Sequence, residues 1–256
     1  MPNRLPISAV LITLNAATQL EACLRSLAFC DEIVIVDSGS SDGTLDIAEQ
    51  YGAKVIRSEW LGFGLQKQFA VRQARNDWVL CIDADERVSE ELAQNIAATL
   101  AAPEMRVYKF ARCNRFMGRY LRHGEGYPDW SLRLFHRDQA RWSDDAVHEK
   151  VLTDALVGTL RGDLLHDSAE SLDNYLAKQN RYTTLAAQEA LARGKRASAA
   201  KMLLSPLTRF IKFYFLRLGF LDGVPGLVHI LIGCQNSFTK YGKMLASQAN
   251  SMETRL

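Results

Sequence analysis

The sequence has little net charge, no paired cysteine pattern and no long hydrophobic run. A formal net charge of +2 over 256 residues offers no general attraction for nucleic acid. The five cysteines, Cys23, Cys30, Cys81, Cys113 and Cys234, are odd in number and widely spaced. That excludes a zinc or disulfide framework and suits a reducing compartment. No apolar run approaches about eighteen residues, so no spanning helix is expected, and the short run after Arg4 reads as a strand rather than a cleavable signal. Thr13 to Ala17, after the first apolar run, contains no glycine, which excludes a dinucleotide-binding fingerprint. Repeats and low-complexity tracts are absent. Acids are missing between Leu191 and Leu221, where Arg193, Lys195, Arg196, Lys201, Arg209, Lys212 and Arg217 accumulate.

A hydrophobic content of 48% suffices for one α/β domain with an appendage. Ile7–Leu14 is nearly continuous and apolar, as in a parallel strand covered on both faces. Thr18 and Glu21 have capping-box spacing, and Leu20, Leu24 and Leu27 share one helical face, predicting a helix to about Phe29. Glu32–Asp37 is a second strand, followed by a turn and a short helix closed by Gly52; Lys54–Arg57 is a third. A helix from Leu65 to Ala74 leads to a fourth strand, Trp78–Ile82. This β-α alternation predicts a parallel sheet with right-handed crossovers.

The fourth strand ends in Asp83-Ala84-Asp85, two carboxylates one residue apart on a strand-to-helix loop. Ligands gather at that edge of an open α/β sheet, so Thr13, Asn15, Asp37, Asp83 and Asp85 should meet there. Paired carboxylates suit a hard divalent cation that also takes substrate phosphates, although helix N-termini attract acids in any case. Lys67 and Arg133 are candidates for phosphate contacts and equally for ordinary surface cations. Ser89–Leu100 is a further helix. Beyond Pro103 the pattern becomes irregular, with strands at Val107–Cys113, Trp130–Arg137 and Ala155–Leu165. A long helix follows from Ser171 to Arg193, then helices only, one of them started by Pro206.

Leu11-Ile12-Thr13-Leu14-Asn15, Glu32 to Thr44 and Ile82 to Glu86 together resemble an inverting family 2 glycosyltransferase of the GT-A fold. Tyr127 to Trp130, Arg133 to Arg137 and Val147-His148-Glu149 resemble the branch that includes lipopolysaccharide-core β-1,4-glucosyltransferases. The resemblance implies a Rossmann-like, mostly parallel α/β sheet with helices on both faces over residues 1–167, and a C-terminal helical appendage over 168–256. It implies a UDP-sugar donor, contacted by Thr13, Asn15 and Asp37, with Asp83 near the ribose and the metal. Mg²⁺ or Mn²⁺ would be held by Asp85, with Asp83 and His148 as further candidates. Inversion needs one general base. Glu149 is the first choice and Asp129 the reserve, His-Glu standing where relatives carry Glu-Asp.

The acceptor implied is a hydroxyl of a membrane glycolipid, with transfer to a polyprenyl phosphate as the alternative and a non-catalytic docking scaffold as a third reading. Arg209 to Leu218 interleaves aromatic and basic residues, which suits a helix lying in a lipid headgroup layer, or one packed on the catalytic domain or on a second copy of the chain. The expected location is the cytoplasmic face of the inner membrane, held peripherally.

Overall fold

The computed structural model describes residues 4–145, 149–168 and 171–253. The chain forms two compact units, one of residues 1–113 and 129–167, the other of 114–128 and 168–256.

In the first unit, β1 (Leu5–Thr13), α1 (Ala17–Ser26), β2 (Cys30–Asp37), α2 (Thr44–Gln50), β3 (Lys54–Arg57), α3 (Phe63–Arg72) and β4 (Trp78–Cys81) alternate as the sequence implies. β5 (Glu86–Val88), α4 (Glu90–Ala101) and β6 (Val107–Phe116) follow. Next come the short β7 (Arg119–Tyr120), then β8 (Asp129–His136), β9 (Arg141–Trp142), β10 (Val151–Leu152) and β11 (Val157–His166). The main sheet runs β3-β2-β1-β4-β8-β6-β11-β5. Its first four strands are parallel, and β8 joins β4 antiparallel.

The unbroken apolar runs are explained by coverage on both faces. Ala9, Leu11, Ile35 and Leu80 pack into one core with Leu20 and Leu24 of α1, Ala48 of α2 and Leu92 and Ile96 of α4. Their sequence neighbours Val10, Val34, Val36, Val79 and Cys81 point into a second core with Ala70 and Val71 of α3. Successive strand side chains alternate between faces, so only a doubly covered strand can be apolar at every position.

Two local expectations differ. The start of α1 has no side-chain cap from Thr18. Its free N–H groups are taken by the neighbouring loop: Ala16 N–H donates to Thr44 Oγ1 at 2.8 Å and Ala17 N–H to Asp42 Oδ2 at 3.1 Å. Capping across two segments removes the need for a local one.

The second difference lies in the second unit, which holds α5 (Leu172–Ala192), α6 (Ala199–Phe210), a π-helical turn (Ile211–Leu216), a 3-10 turn (Gly219–Asp222) and α7 (Gly223–Glu253). Pro206 sits inside α6 instead of starting it. Ser198 caps that helix, accepting from Lys201 N–H at 3.3 Å, so the helix is already under way when the proline removes an N–H from its ladder. The π-helical turn follows within five residues. No single helix among the described residues is long and apolar enough to cross a membrane.

Candidate active site

The loops at the carboxyl ends of β1 and β2 clasp each other. Thr13 pairs in register with Asp37, and its hydroxyl donates to Asp37 Oδ2 at 2.8 Å. Asp37 Oδ1 accepts from the N–H groups of Gly39 and Ser40 at 3.0 and 2.9 Å. Burial pushes this carboxyl up, but the bonds from Ser40, Thr13 and Gly39 outweigh it and hold it below the ordinary carboxylate value. Asn15 adopts φ 52°, a left-handed conformation that asparagine tolerates better than most residues. From there its Oδ1 accepts from Ser41 N–H at 2.9 Å. Thr13, Asn15 and Asp37 are thus one rigid clasp.

The Asp83-Ala84-Asp85 loop follows β4, whose Cys81 pairs with Val10 of β1, so it lies on the same edge of the sheet. Its two acids have different partners. Asp83 Oδ1 lies 2.9 Å from Lys67 Nζ, and Oδ2 lies 2.8 Å from Arg133 Nη2. Burial would raise the Asp83 carboxyl; Arg133 and Lys67 outweigh it and hold it far below the usual range. Lys67 also lies 2.9 Å from Glu149 Oε1. Asp85 instead meets His166 at the end of β11, with Oδ2 3.2 Å from Nε2.

The network extends beyond the predicted residues. Arg133 reaches Glu86 Oε1 at 3.2 Å, Arg112 lies 3.7 Å from the same oxygen, and Arg112 pairs with Asp129 at 2.8 Å. Glu86 is fully buried, and its Oε2 accepts from Asp83 N–H at 2.9 Å. Burial raises the Glu86 carboxyl, with Arg133 opposing and Asp83 adding, and the result is above its ordinary value. Glu149, Lys67, Asp83, Arg133, Glu86, Arg112 and Asp129 therefore form one continuous chain of ion pairs, with the two candidate bases at its ends.

Trp142 forms a plate under the centre of this chain. Lys67 Nζ is 4.8 Å and Arg133 Cζ 5.4 Å from its ring centroid, a cation–π arrangement for two cations nearly removed from water. Its indole N–H donates to Cys81 Sγ at 3.4 Å, and burial pushes that thiol up to about 11, leaving it neutral. The loop after Trp142 is pressed on α3: a Cβ on Gly64 would stand 2.0 Å from the Ser143 carbonyl oxygen. Lys150 N–H donates to Ser143 Oγ at 3.1 Å, which anchors the residue next to Glu149.

Arg133 and Lys67, each open to both phosphate and surface readings, are internal cations, with 7% of each exposed. His148 lies outside the described residues. Glu86, Arg112, Trp142 and His166 carry the site without having been singled out. Glu86 is adjacent to the acidic pair and His166 ends a predicted strand, so both had a positional signal. Arg112 and Trp142 had none.

No group of three or more His, Cys, Asp or Glu among the described residues could by itself hold a metal ion. Asp85 offers one carboxylate of the kind that Mg²⁺ or Mn²⁺ takes together with water and substrate phosphate, and His166 stands beside it at 3.2 Å. Asp83 places one oxygen on each of two cations, Lys67 and Arg133.

Four parallel strands, an antiparallel continuation and acids on the loop after the fourth strand define a GT-A type transferase fold. Residues 8–157 match Glycosyl transferase family 2, and the chain belongs to that family and is a glycosyltransferase. It is 33% identical to the lipopolysaccharide core biosynthesis glycosyltransferase LpsC of Rhizobium meliloti strain 1021, covering 96% of this chain and 94% of that protein. An uncharacterized glycosyltransferase of Rickettsia bellii is 31% identical over 95% of this chain and 88% of its own. Among solved structures, S. aureus TarS 1-349 in complex with UDP covers 95% of this chain and 91% of its own at 16% identity, with a TM-score of 0.49. A likeness that distant carries no chemistry over.

Proposed function

We propose that this enzyme transfers a hexose, in the first instance glucose, from a UDP-sugar to a hydroxyl of a membrane glycolipid, the inner core of lipopolysaccharide, at the cytoplasmic face of the inner membrane. The observation that carries the reading is the convergence of Asp83, Lys67, Arg133 and Glu149 in one ion-pair chain on the edge that also holds Asp85 and His166. The full-length likeness to LpsC supports the acceptor class.

The chain's residues divide the work. The Thr13–Asn15–Asp37 clasp fixes the two loops against which the nucleoside packs. Asp85 and His166 would hold Mg²⁺ or Mn²⁺, which when bound neutralises charge on the departing diphosphate. Lys67 and Arg133 add positive charge near that leaving group in a site of low dielectric, where preorganised charge is worth more than in water. Glu149 accepts the proton of the acceptor hydroxyl as its oxygen forms the new bond to the anomeric carbon. The carbon–oxygen bond to the diphosphate breaks, and UDP leaves with that electron pair. Attack opposite the leaving group inverts the anomeric centre, and one carboxylate suffices.

The test is a panel of UDP-sugars with Mn²⁺ and a deep-core glycolipid, following UDP release. Release with one donor, dependent on the glycolipid and giving an inverted linkage, is expected. No acceptor-dependent release with any donor would overturn the proposal.

A further inference from the structure

The second unit carries an apolar face left exposed among the described residues. Leu203, Leu207, Ile211 and Phe215 recur every four residues from α6 into the π-helical turn, so they line one side, and all four are exposed. Leu204 and Leu216 flank them, with Leu216 74% exposed. Beyond the turn the chain bends by 74°, and Leu218, Phe220, Leu221 and Val224 are exposed as well, the last 67%. Water-soluble proteins seldom leave so many adjacent large apolar side chains in solvent.

The charges around this face identify what covers it. Between Leu191 and Leu221 every formal charge is positive, and Arg193, Lys195, Arg196, Lys201, Lys212 and Arg217 are exposed. The nearest following acid, Asp222, is buried, where it accepts from the N–H groups of Arg122 and His123 at 3.0 and 2.8 Å. Exposed apolar side chains in a segment whose exposed charges are all positive complement the acyl chains and anionic headgroups of a bilayer. A protein partner of ordinary surface composition would leave that one-sided rim unmatched.

The face is also braced. Arg209 donates from Nε to Glu125 at 3.0 Å, Arg217 donates to the Tyr127 carbonyl at 3.0 Å, and Gly124 N–H donates to the Arg217 carbonyl at 2.8 Å. Gly233 of α7 lets the Arg209–Glu125 pair pass, since a Cβ there would stand 2.2 Å from Glu125 Oε2. Two of the cations that mark this segment in the sequence are therefore fasteners to residues 124–127, and the leucines of α6 and of the bend supply the apolar surface.

We propose that this elbow, from Leu203 through Val224, lies in the plane of an anionic phospholipid bilayer with its apolar side inserted below the headgroups. The inference is independent of the transferase reading, because binding can be measured on vesicles containing neither donor nor glycolipid. The full chain is sedimented with phosphatidylcholine vesicles with and without phosphatidylglycerol. Binding to the anionic vesicles should fall about tenfold or more in Phe215→Ser/Leu216→Ser and in Lys201→Glu/Lys212→Glu, while thermal unfolding of both variants in solution stays near the parent's.

A Leu216→Trp variant tests the same surface without weakening it. Its added fluorescence should be quenched by lipids brominated on the acyl chains. An unquenched tryptophan with unchanged vesicle binding in both double variants would overturn the proposal. So would concentration-dependent self-association that Phe215→Ser/Leu216→Ser abolishes while lipid binding is absent, which would assign the face to a second copy of the chain.

Discussion

Lys67 Nζ stands 2.9 Å from Glu149 Oε1, across 82 residues of sequence, and the same ammonium stands 2.9 Å from Asp83 Oδ1. One buried cation therefore holds the candidate base and the first acid of the donor loop together. In the proposed reaction a diphosphate bound at this edge would compete for that ammonium, which would link donor binding to the setting of Glu149 through one side chain.

The assignment of Glu149 is tested by Glu149→Gln beside Asp129→Asn. Loss of a general base costs about 10²–10⁴ in kcat, with little change in donor KM, and Glu149→Gln should show it. Asp129→Asn should stay within about tenfold of the parent, because Asp129 pairs with Arg112 at the other end of the chain. Steady-state kinetics at saturating Mn²⁺ decides. Unchanged transfer in both variants would instead favour an acceptor that is already an anion, such as a polyprenyl phosphate.

Arg133 is the internal support of the site. Arg133→Met leaves Glu86, fully buried, and one oxygen of Asp83 without their cation. Breaking a buried pair from one side costs about 3–5 kcal/mol, which urea denaturation should register. Adding Glu86→Gln should recover part of the loss, since it removes the stranded charge; no recovery would mean that Arg133 stabilises by packing on Trp142 alone.

Acid should destabilise the first unit. Asp37 and Asp83 have folded-state values below their unfolded ones, so the unfolded chain binds more protons in between and stability falls as pH drops through that window, below about pH 4. Glu86, raised on folding, runs the opposite way: its contribution is present below its unfolded value and is lost as pH rises through the folded one. Asp31 and Asp42 are lowered as well, so four carboxyls stand against one; Tm should decline from pH 5 to pH 3, and Asp37→Asn should flatten that decline. An identical slope in the variant would show that the clasp is not the source.

The parallel half of the sheet was legible because strands such as Ile33 to Val36 can be apolar at every position only when both faces are covered. The acid loop after β4 was legible for the same reason: a buried strand must end where charge begins. Partner choice was not legible. Whether Asp83 meets a metal or two cations depends on Lys67 and Arg133 arriving from α3 and β8, and whether Lys67 is a surface cation depends on Trp142 arriving from β9. Such contacts are set by tertiary packing, and no local pattern encodes them. The capping of α1 by Asp42 and Thr44 and the place of Pro206 inside α6 are of the same kind. Arg209 and Arg217 read as cations for a headgroup layer because a sequence shows a cation and not the Glu125 carboxylate or Tyr127 carbonyl it reaches.

The central claim is that the edge holding Asp83, Asp85 and His166 binds a uridine diphosphate through a divalent cation, and calorimetric titration of UDP tests it without knowledge of the acceptor. UDP should bind the parent protein in Mn²⁺, and should bind about tenfold or more weakly both after chelation and in Asp85→Asn, since loss of the ion or of its ligand should cost at least the roughly 10–100-fold that loss of a ligand-orienting partner costs. Equal UDP binding with and without Mn²⁺ and in Asp85→Asn would contradict the metal site, and no UDP binding under any of these conditions would contradict the nucleotide site.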